Sequence, residues 1–273
     1  RHAHARGLHD LPGERRSHAV PTPRGGGIGI ALAGLGALLL LAAVDATPVG
    51  WLAMALGLAL VAGIGWWDDH RPLPAWPRLL VHGLAASLLA FGLHAQGADE
   101  VGIVAGFLLG VGLVNVWNFM DGIDGMAVVQ AVACAVAFMA LSLGDPAGLL
   151  TSLVLAAAGI AFLPANFPRA RVFLGDVGSG ALGYLVAILV ARAFAASAWE
   201  ARPLLLLPLL AMVADAGLTL CWRLRHRQAW WQAHVEHAFQ RWSRRSGHVP
   251  VTLAYAVWTL LASGFMLAWL DAG

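Results

Sequence analysis

Nine mostly apolar stretches of about twenty residues follow one another along this chain, at 27–45, 49–67, 79–96, 101–119, 126–143, 147–163, 177–196, 203–222 and 250–270. A helix needs a run of that length to cross the hydrocarbon of a bilayer. Lipid offers no hydrogen bonds, so each segment must satisfy its own backbone, which selects the α-helix for runs of this kind. The expected fold is therefore all-α, a polytopic helical bundle forming one membrane-embedded domain over residues 1–273. Composition agrees: 12% of the residues are charged and 59% hydrophobic, against about 25% charged in soluble domains. Cys134 and Cys221 lie in apolar surroundings with no ligand spacing around them, and read as small buried hydrophobes. The chain opens on polar, basic residues without a signal sequence, and an upstream segment is expected before Arg1.

Nine crossings alternate the connecting segments between two sides. Residues 1–26, 68–78, 120–125, 164–176 and 223–249 fall on one side and carry five, two, no, two and six arginines. The other side has Arg192 and Arg202. Cytoplasmic loops carry the excess of basic residues, so the arginine-rich side is expected to be cytoplasmic. Every polar cluster with chemical character lands on that same side, which hydropathy alone does not require.

Those clusters are five. Asn115-Val-Trp-Asn118-Phe-Met-Asp121-Gly-Ile-Asp124-Gly125 packs two carboxamides, two carboxylates and two glycines into the end of an apolar run. Polar groups so costly at a bilayer mark a functional site. Asp68 and Asp69 close the second run, a pair suited to holding a divalent cation, positioning a cationic group, or acting as a base. Phe173-Leu-Gly-Asp176-Val-Gly-Ser-Gly180 opens the seventh run, where helix N–H groups favour an anion and the carboxylate suits Mg²⁺; helix packing explains the glycines as well. Thr22 and Arg24 belong to the turn Pro21-Thr-Pro-Arg-Gly-Gly-Gly27, suited to close backbone approach around an anionic group. His234 and His237, spaced i and i+3, share a helix face and could hold either a metal or a diphosphate. The surplus of oxygen-type ligands favours Mg²⁺ over Zn²⁺. Asp215, inside the eighth run, suits an interhelical hydrogen bond or a functional role.

With these motifs in this order, the chain resembles the polyprenyl-phosphate N-acetylhexosamine-1-phosphate transferases, the WecA/MraY superfamily. The resemblance spans nearly the whole chain and implies a ten- or eleven-helix protein whose first helix precedes Arg1. It implies transfer of a sugar phosphate from a UDP-N-acetylhexosamine to undecaprenyl phosphate, with release of UMP, at the cytoplasmic face of the bacterial inner membrane. It further implies Asn118 and Asp176 as ligands of Mg²⁺ (Mn²⁺ as an alternative), and Asp68, Asp69 and Asp176 as catalytic residues. Asp121, Asp124, Phe173, His234, His237, Arg24 and Thr22 would bind substrate, with Asp124 on uracil and Phe173 stacked upon it. The lipid bilayer is an expected partner, nucleic acid is not, and a homodimer is allowed. Two departures stand out. Arg71 lies near where many members carry a lysine after the acid pair, and the loop His234-Val-Glu-His237 lacks the triple histidine of the muramyl-pentapeptide enzymes. The second favours the branch that starts O-antigen and other surface polysaccharides, with N-acetylglucosamine or a 6-deoxy relative as the sugar. The rival from another class is an ion-coupled transporter, which would place its coupling acids near the bilayer midplane.

Overall fold

The structure, a computed structural model, describes residues 9–10, 22–229 and 235–272. Among these, β structure is limited to His9–Asp10 (β1) paired antiparallel with Thr22–Pro23 (β2). The rest is helical: α1 Ile28–Val44, α2 Pro48–His70, α3 Ala75–Ala95, α4 Glu100–Met120, α5 Met126–Leu141, α6 Pro146–Asn166 and α7 Gly175–Ala196. A 3₁₀ turn Leu204–Leu209 then leads into α8 Leu210–Arg225, followed by α9 Ala238–Ser246 and α10 His248–Ala272.

Seven helices are long and apolar enough to span a bilayer, and α1 and α5 are shorter apolar helices of 17 and 16 residues. The chain is a polytopic helical membrane protein. All nine expected runs are helical, with shifted ends. α2 continues through Asp68 and Asp69 to His70, so the acid pair sits in a last helical turn rather than beyond it. The eighth run begins as a 3₁₀ turn because Pro208 denies the α-helix a donor.

α7 is the axle. Of its apolar window 83% is buried, against 33–50% for the other six long helices. Helices α1, α2, α4, α5 and α6 all pack on it, while α3 joins α2 to α4, and α10 joins α5 to the 3₁₀ turn and α8. Lipid tails are as apolar as leucine, so such helices associate through close van der Waals fit, which small residues permit. A methyl group on Gly183 would stand 2.5 Å from the Leu113 carbonyl oxygen, and one on Gly178 would stand 2.6 Å from the Gly27 Cα. Two buried polar side chains make cross-helix bonds. The Tyr184 hydroxyl donates to the Ala85 carbonyl (3.0 Å), and Thr259 donates to the Gln130 carboxamide oxygen (2.6 Å). The two arginines of the arginine-poor side are both neutralised, Arg192 by Asp145 (3.1 Å) and Arg202 by Asp99 (2.7 Å). Those two acids also cap α6 and α4.

Candidate active site

The site lies where the starts of α1, α3, α5, α7 and α10 meet the ends of α2, α4, α6 and α8. The turn before α1 is stitched to the strand-like segment before α7. Phe173 N–H donates to the Pro23 carbonyl (2.8 Å), Gly26 N–H to the Phe173 carbonyl (3.0 Å) and Gly27 N–H to the Leu174 carbonyl (2.9 Å). This fixes Thr22, buried, and Arg24, half-buried, against Phe173. Gly175 then turns the chain into α7 at φ +76°, where a side chain would also meet the Asp69 carboxylate at 2.5 Å.

Asp69 is the first organising group. Its Oδ1 accepts from Asp176 N–H (3.0 Å) and its Oδ2 from Val177 N–H (3.2 Å), so a carboxylate from α2 caps α7. The N-terminal amides in which the sequence suggests an anion are thus filled by a protein carboxylate. Arg24 Nη2 stands 2.9 Å from Asp69 and 4.0 Å from Asp176. A second arginine, Arg78, joins the other two acids through one nitrogen. Its Nη1 donates to Asp68 (2.9 Å) and to Asp176 (2.6 Å), while Asp68 also accepts from Leu73 N–H (2.6 Å). Three carboxylates therefore converge around two guanidinium groups.

The Asn115–Gly125 motif borders this cluster. Asn118 Nδ2 donates to Ser179 Oγ (3.2 Å), one helical turn beyond Asp176, which places Asn118 and Asp176 on one face of α7. Asp121 closes α4 and is half-buried. Burial first, then the charges of Asp176 and Asp69, push its carboxyl up to about 8. Asp124 is clamped by α10: His248 Nδ1 lies 3.2 Å from its carboxylate, and Thr252 donates to its carbonyl (2.9 Å). Gly125 N–H donates to Asn166 (3.1 Å), whose own amide donates to the Val172 carbonyl (3.1 Å).

The histidine loop reaches the same end. His237 is buried at the N-terminus of α9, its ring 6.3 Å from that of Phe119, and Phe239 packs fully buried beneath Gly122. Glu236, in place of a histidine run, pairs with the buried Arg223. His234 lies outside the described residues.

The oxygen donors Asn118 and Asp176 are of the kind that suits a hard cation. Among the described residues no three acid, histidine or cysteine side chains form a closed metal cage.

Arg78, Ser179 and His248 escaped the sequence reading. Arg78 did leave a signal, being a cation in the first turn of α3, where the helix dipole opposes it unless a carboxylate compensates. Arg71, which stands near a family lysine, is exposed past the end of α2. Of the acid pair, Asp68 is contacted by Arg78 and Asp69 by Arg24.

Fold and site together define a polytopic membrane protein with a carboxylate–arginine centre where alternating helix ends meet. Its family is given by comparison: a profile of glycosyl transferase family 4 matches residues 51–193, and the chain belongs to that family. It is 34% identical over 206 residues to the decaprenyl-phosphate N-acetylglucosaminephosphotransferase of Mycobacterium tuberculosis, covering 64% of this chain and 51% of the relative. With a probable undecaprenyl-phosphate N-acetylglucosaminyl 1-phosphate transferase of Bacillus subtilis it shares 32% over 197 residues, 67% of this chain and 54% of the relative. A phospho-N-acetylmuramoyl-pentapeptide-transferase of Moorella thermoacetica is 33% identical over 203 residues, 64% and 63% of the two chains. The chain spans about half the length of the first two relatives.

Proposed function

We propose that this chain transfers an N-acetylhexosamine-1-phosphate from a UDP-sugar to undecaprenyl phosphate at the cytoplasmic face of a bacterial inner membrane, releasing UMP. The observation that carries the reading is the bridge from Asp68 through Arg78 to Asp176, set beside Arg24 and Asp69 at the arginine-rich helix ends. Phosphoryl transfer asks a protein chiefly for positioning and charge neutralisation. The two arginines hold the three acids close together, and are themselves phosphate ligands once a diphosphate competes for them. Asp68, held by Leu73 and Arg78, positions the phosphate of the lipid acceptor. Phe173 offers its ring to the uracil, and Asp124, oriented by His248, accepts the base N–H. Asn118 and Asp176 would hold Mg²⁺, which supplies charge neutralisation on the diphosphate.

Location supports the same reading. A lipid phosphate arrives along the bilayer and a nucleotide sugar through water, and helix ends at the membrane surface are open to both. The names of the mycobacterial and Bacillus relatives favour N-acetylglucosamine as the sugar, and the loop with Glu236 in place of a histidine run favours the branch that initiates O-antigen or other surface polysaccharide. Asp215, the acid deepest in a span, has both oxygens filled by protein donors, which counts against ion coupling. The test is to incubate purified protein in Mg²⁺ with undecaprenyl phosphate and UDP-N-acetylglucosamine or its 6-deoxy relatives, and to measure UMP. Lipid-dependent UMP release is expected; UMP from none of these sugars would end the proposal.

A further inference from the structure

A carboxylate in a membrane helix is expensive and calls for a reason. Asp215 lies within α8, buried, and besides Thr219 of the same helix (3.4 Å) its donors come from elsewhere in the chain. Oδ1 accepts from Ala238 N–H (2.9 Å), and Oδ2 accepts from Phe239 N–H (2.9 Å) and from the Tyr255 hydroxyl of α10 (2.6 Å). Ala238 and Phe239 are the first two residues of α9, so Asp215 caps α9 from a neighbouring helix, as Asp69 caps α7. The residue just before that capped turn is His237. Its backbone N–H donates to Gln240 Oε1 (3.3 Å), and its Nδ1 stands 3.5 Å from Asp215 Oδ1. The ring lies 5.6 Å from Phe239 and 6.3 Å from Phe119, the neighbour of Asn118.

We infer that Asp215, steadied by Tyr255, is a positioning residue that fixes the His237 ring beside the Asn115–Gly125 motif. The inference rests on the reading of His237 as a ligand of the donor diphosphate or sugar. Asp215 touches no substrate. It acts through the first turn of α9, and Tyr255 ties that turn to the helix whose start also holds Asp124. An acid retained only to join α8 to α10 would make the bond to Tyr255 and have no use for the two α9 amides. The structure spends both carboxylate oxygens on those amides.

The experiment uses the full chain in lipid nanodiscs, with Asp215→Asn, Tyr255→Phe, His237→Ala and the double variant Asp215→Asn/His237→Ala. A lost hydrogen bond to a charged group corresponds to about a 10- to 100-fold effect. kcat/KM for UDP-N-acetylglucosamine should fall by that factor in Asp215→Asn and by less in Tyr255→Phe, with KM for undecaprenyl phosphate unchanged. The double variant should be no worse than His237→Ala alone. Amide hydrogen exchange at residues 237–239, measured without substrate, should quicken in both Asp215→Asn and Tyr255→Phe. Losses that multiply in the double variant, equal damage to both substrates, or unchanged exchange at 237–239 would each overturn the inference. Tyr255→Phe keeps the ring and the packing, and so carries the test if Asp215→Asn fails to fold. A folded wild-type chain that releases no UMP from any UDP-sugar would sink the functional reading, and the exchange measurement alone would then decide whether Asp215 holds the histidine.

Discussion

Arg78 is the residue on which the centre turns, because one of its nitrogens holds two carboxylates from helices distant in sequence. Arg78→Gln removes the cation that bridges Asp68 and Asp176, leaving Arg24 beside Asp176 alone. Turnover should fall about 10- to 100-fold, the weight of a charge-assisted hydrogen bond, while circular dichroism stays that of the wild type. Asp176→Asn keeps the shape and removes a charge that the donor diphosphate and its cation would need, and should cost about 100- to 1000-fold in UMP release. Near-normal turnover of a folded Asp176→Asn protein would remove it from the site. Asp121 gives a pH signature. Its carboxyl, near 4 in an unfolded chain, is pushed up to about 8 in the fold, so the folded state holds a proton that the unfolded state releases. The native state is therefore penalised increasingly as pH rises from about 4 to 8, and Asp121→Asn, which stays neutral, escapes the penalty. In EDTA the Tm advantage of Asp121→Asn should grow across that range; an advantage flat in pH would contradict the assignment. Most of the residues that the fold brings together at the candidate site were marked by the sequence, since acids and carboxamides at the ends of apolar runs have few bland explanations. Their partners were not. Nothing in the spacing of Arg78 tells that it spans the distance to Asp176, and Ser179 and His248 enter only through packing.

At the scale of the element, the helices follow from run length, and their errors follow from the chemistry of their ends. Hydropathy stops at the first charge, so a reading by apolar runs halts α2 at Trp67, whereas the backbone continues to His70 because Asp68 and Asp69 have partners outside the helix. α7 shows the reverse case, in which the glycines within Gly175–Gly183 look equally suited to a phosphate and to a neighbouring helix. The described structure uses Gly178 and Gly183 for close approach to α1 and α4. Gly183→Leu should therefore be badly tolerated. Overpacking typically costs about 1–3 kcal/mol, and here the obstacle is α4 backbone, which has little room to yield. A lowered Tm together with lost UMP release is expected, because the α4–α7 contact also sets Asn118 against Ser179. An unchanged Tm would show that the two helices can separate without cost.

For the whole molecule, alternation of the connecting segments was the most productive inference from sequence, since it put five polar motifs at one end, and the fold joins the described parts of all five there. The count of crossings was harder to read than their order, because α1 and α5 are shorter than a full span. Orientation can be tested directly. In a chain freed of Cys134 and of Cys221, which is exposed on α8 rather than buried as its apolar surroundings suggest, Arg71→Cys and Arg245→Cys should resist an impermeant thiol reagent in intact cells, and Glu200→Cys should react. All three positions are exposed, so labelling reports sidedness alone. The opposite pattern would invert the protein and remove the cytoplasmic reading of the site.

The axle position of α7 bears on the order in which the protein can be made. A ribosome delivers α1 to α6 before α7, so the ring is translated before the helix it surrounds. Until Gly175 emerges, Asp69 has no amides to receive, Arg78 has one carboxylate instead of two, and the turn before α1 has no segment to join. A nascent chain halted before residue 175 should thus be membrane-inserted yet open, with the Thr22–Gly27 turn cut readily by protease. Release of α7 should close the ring and protect that turn, so the carboxylate–arginine cluster would form in one insertion event, ahead of the His237 and His248 contacts.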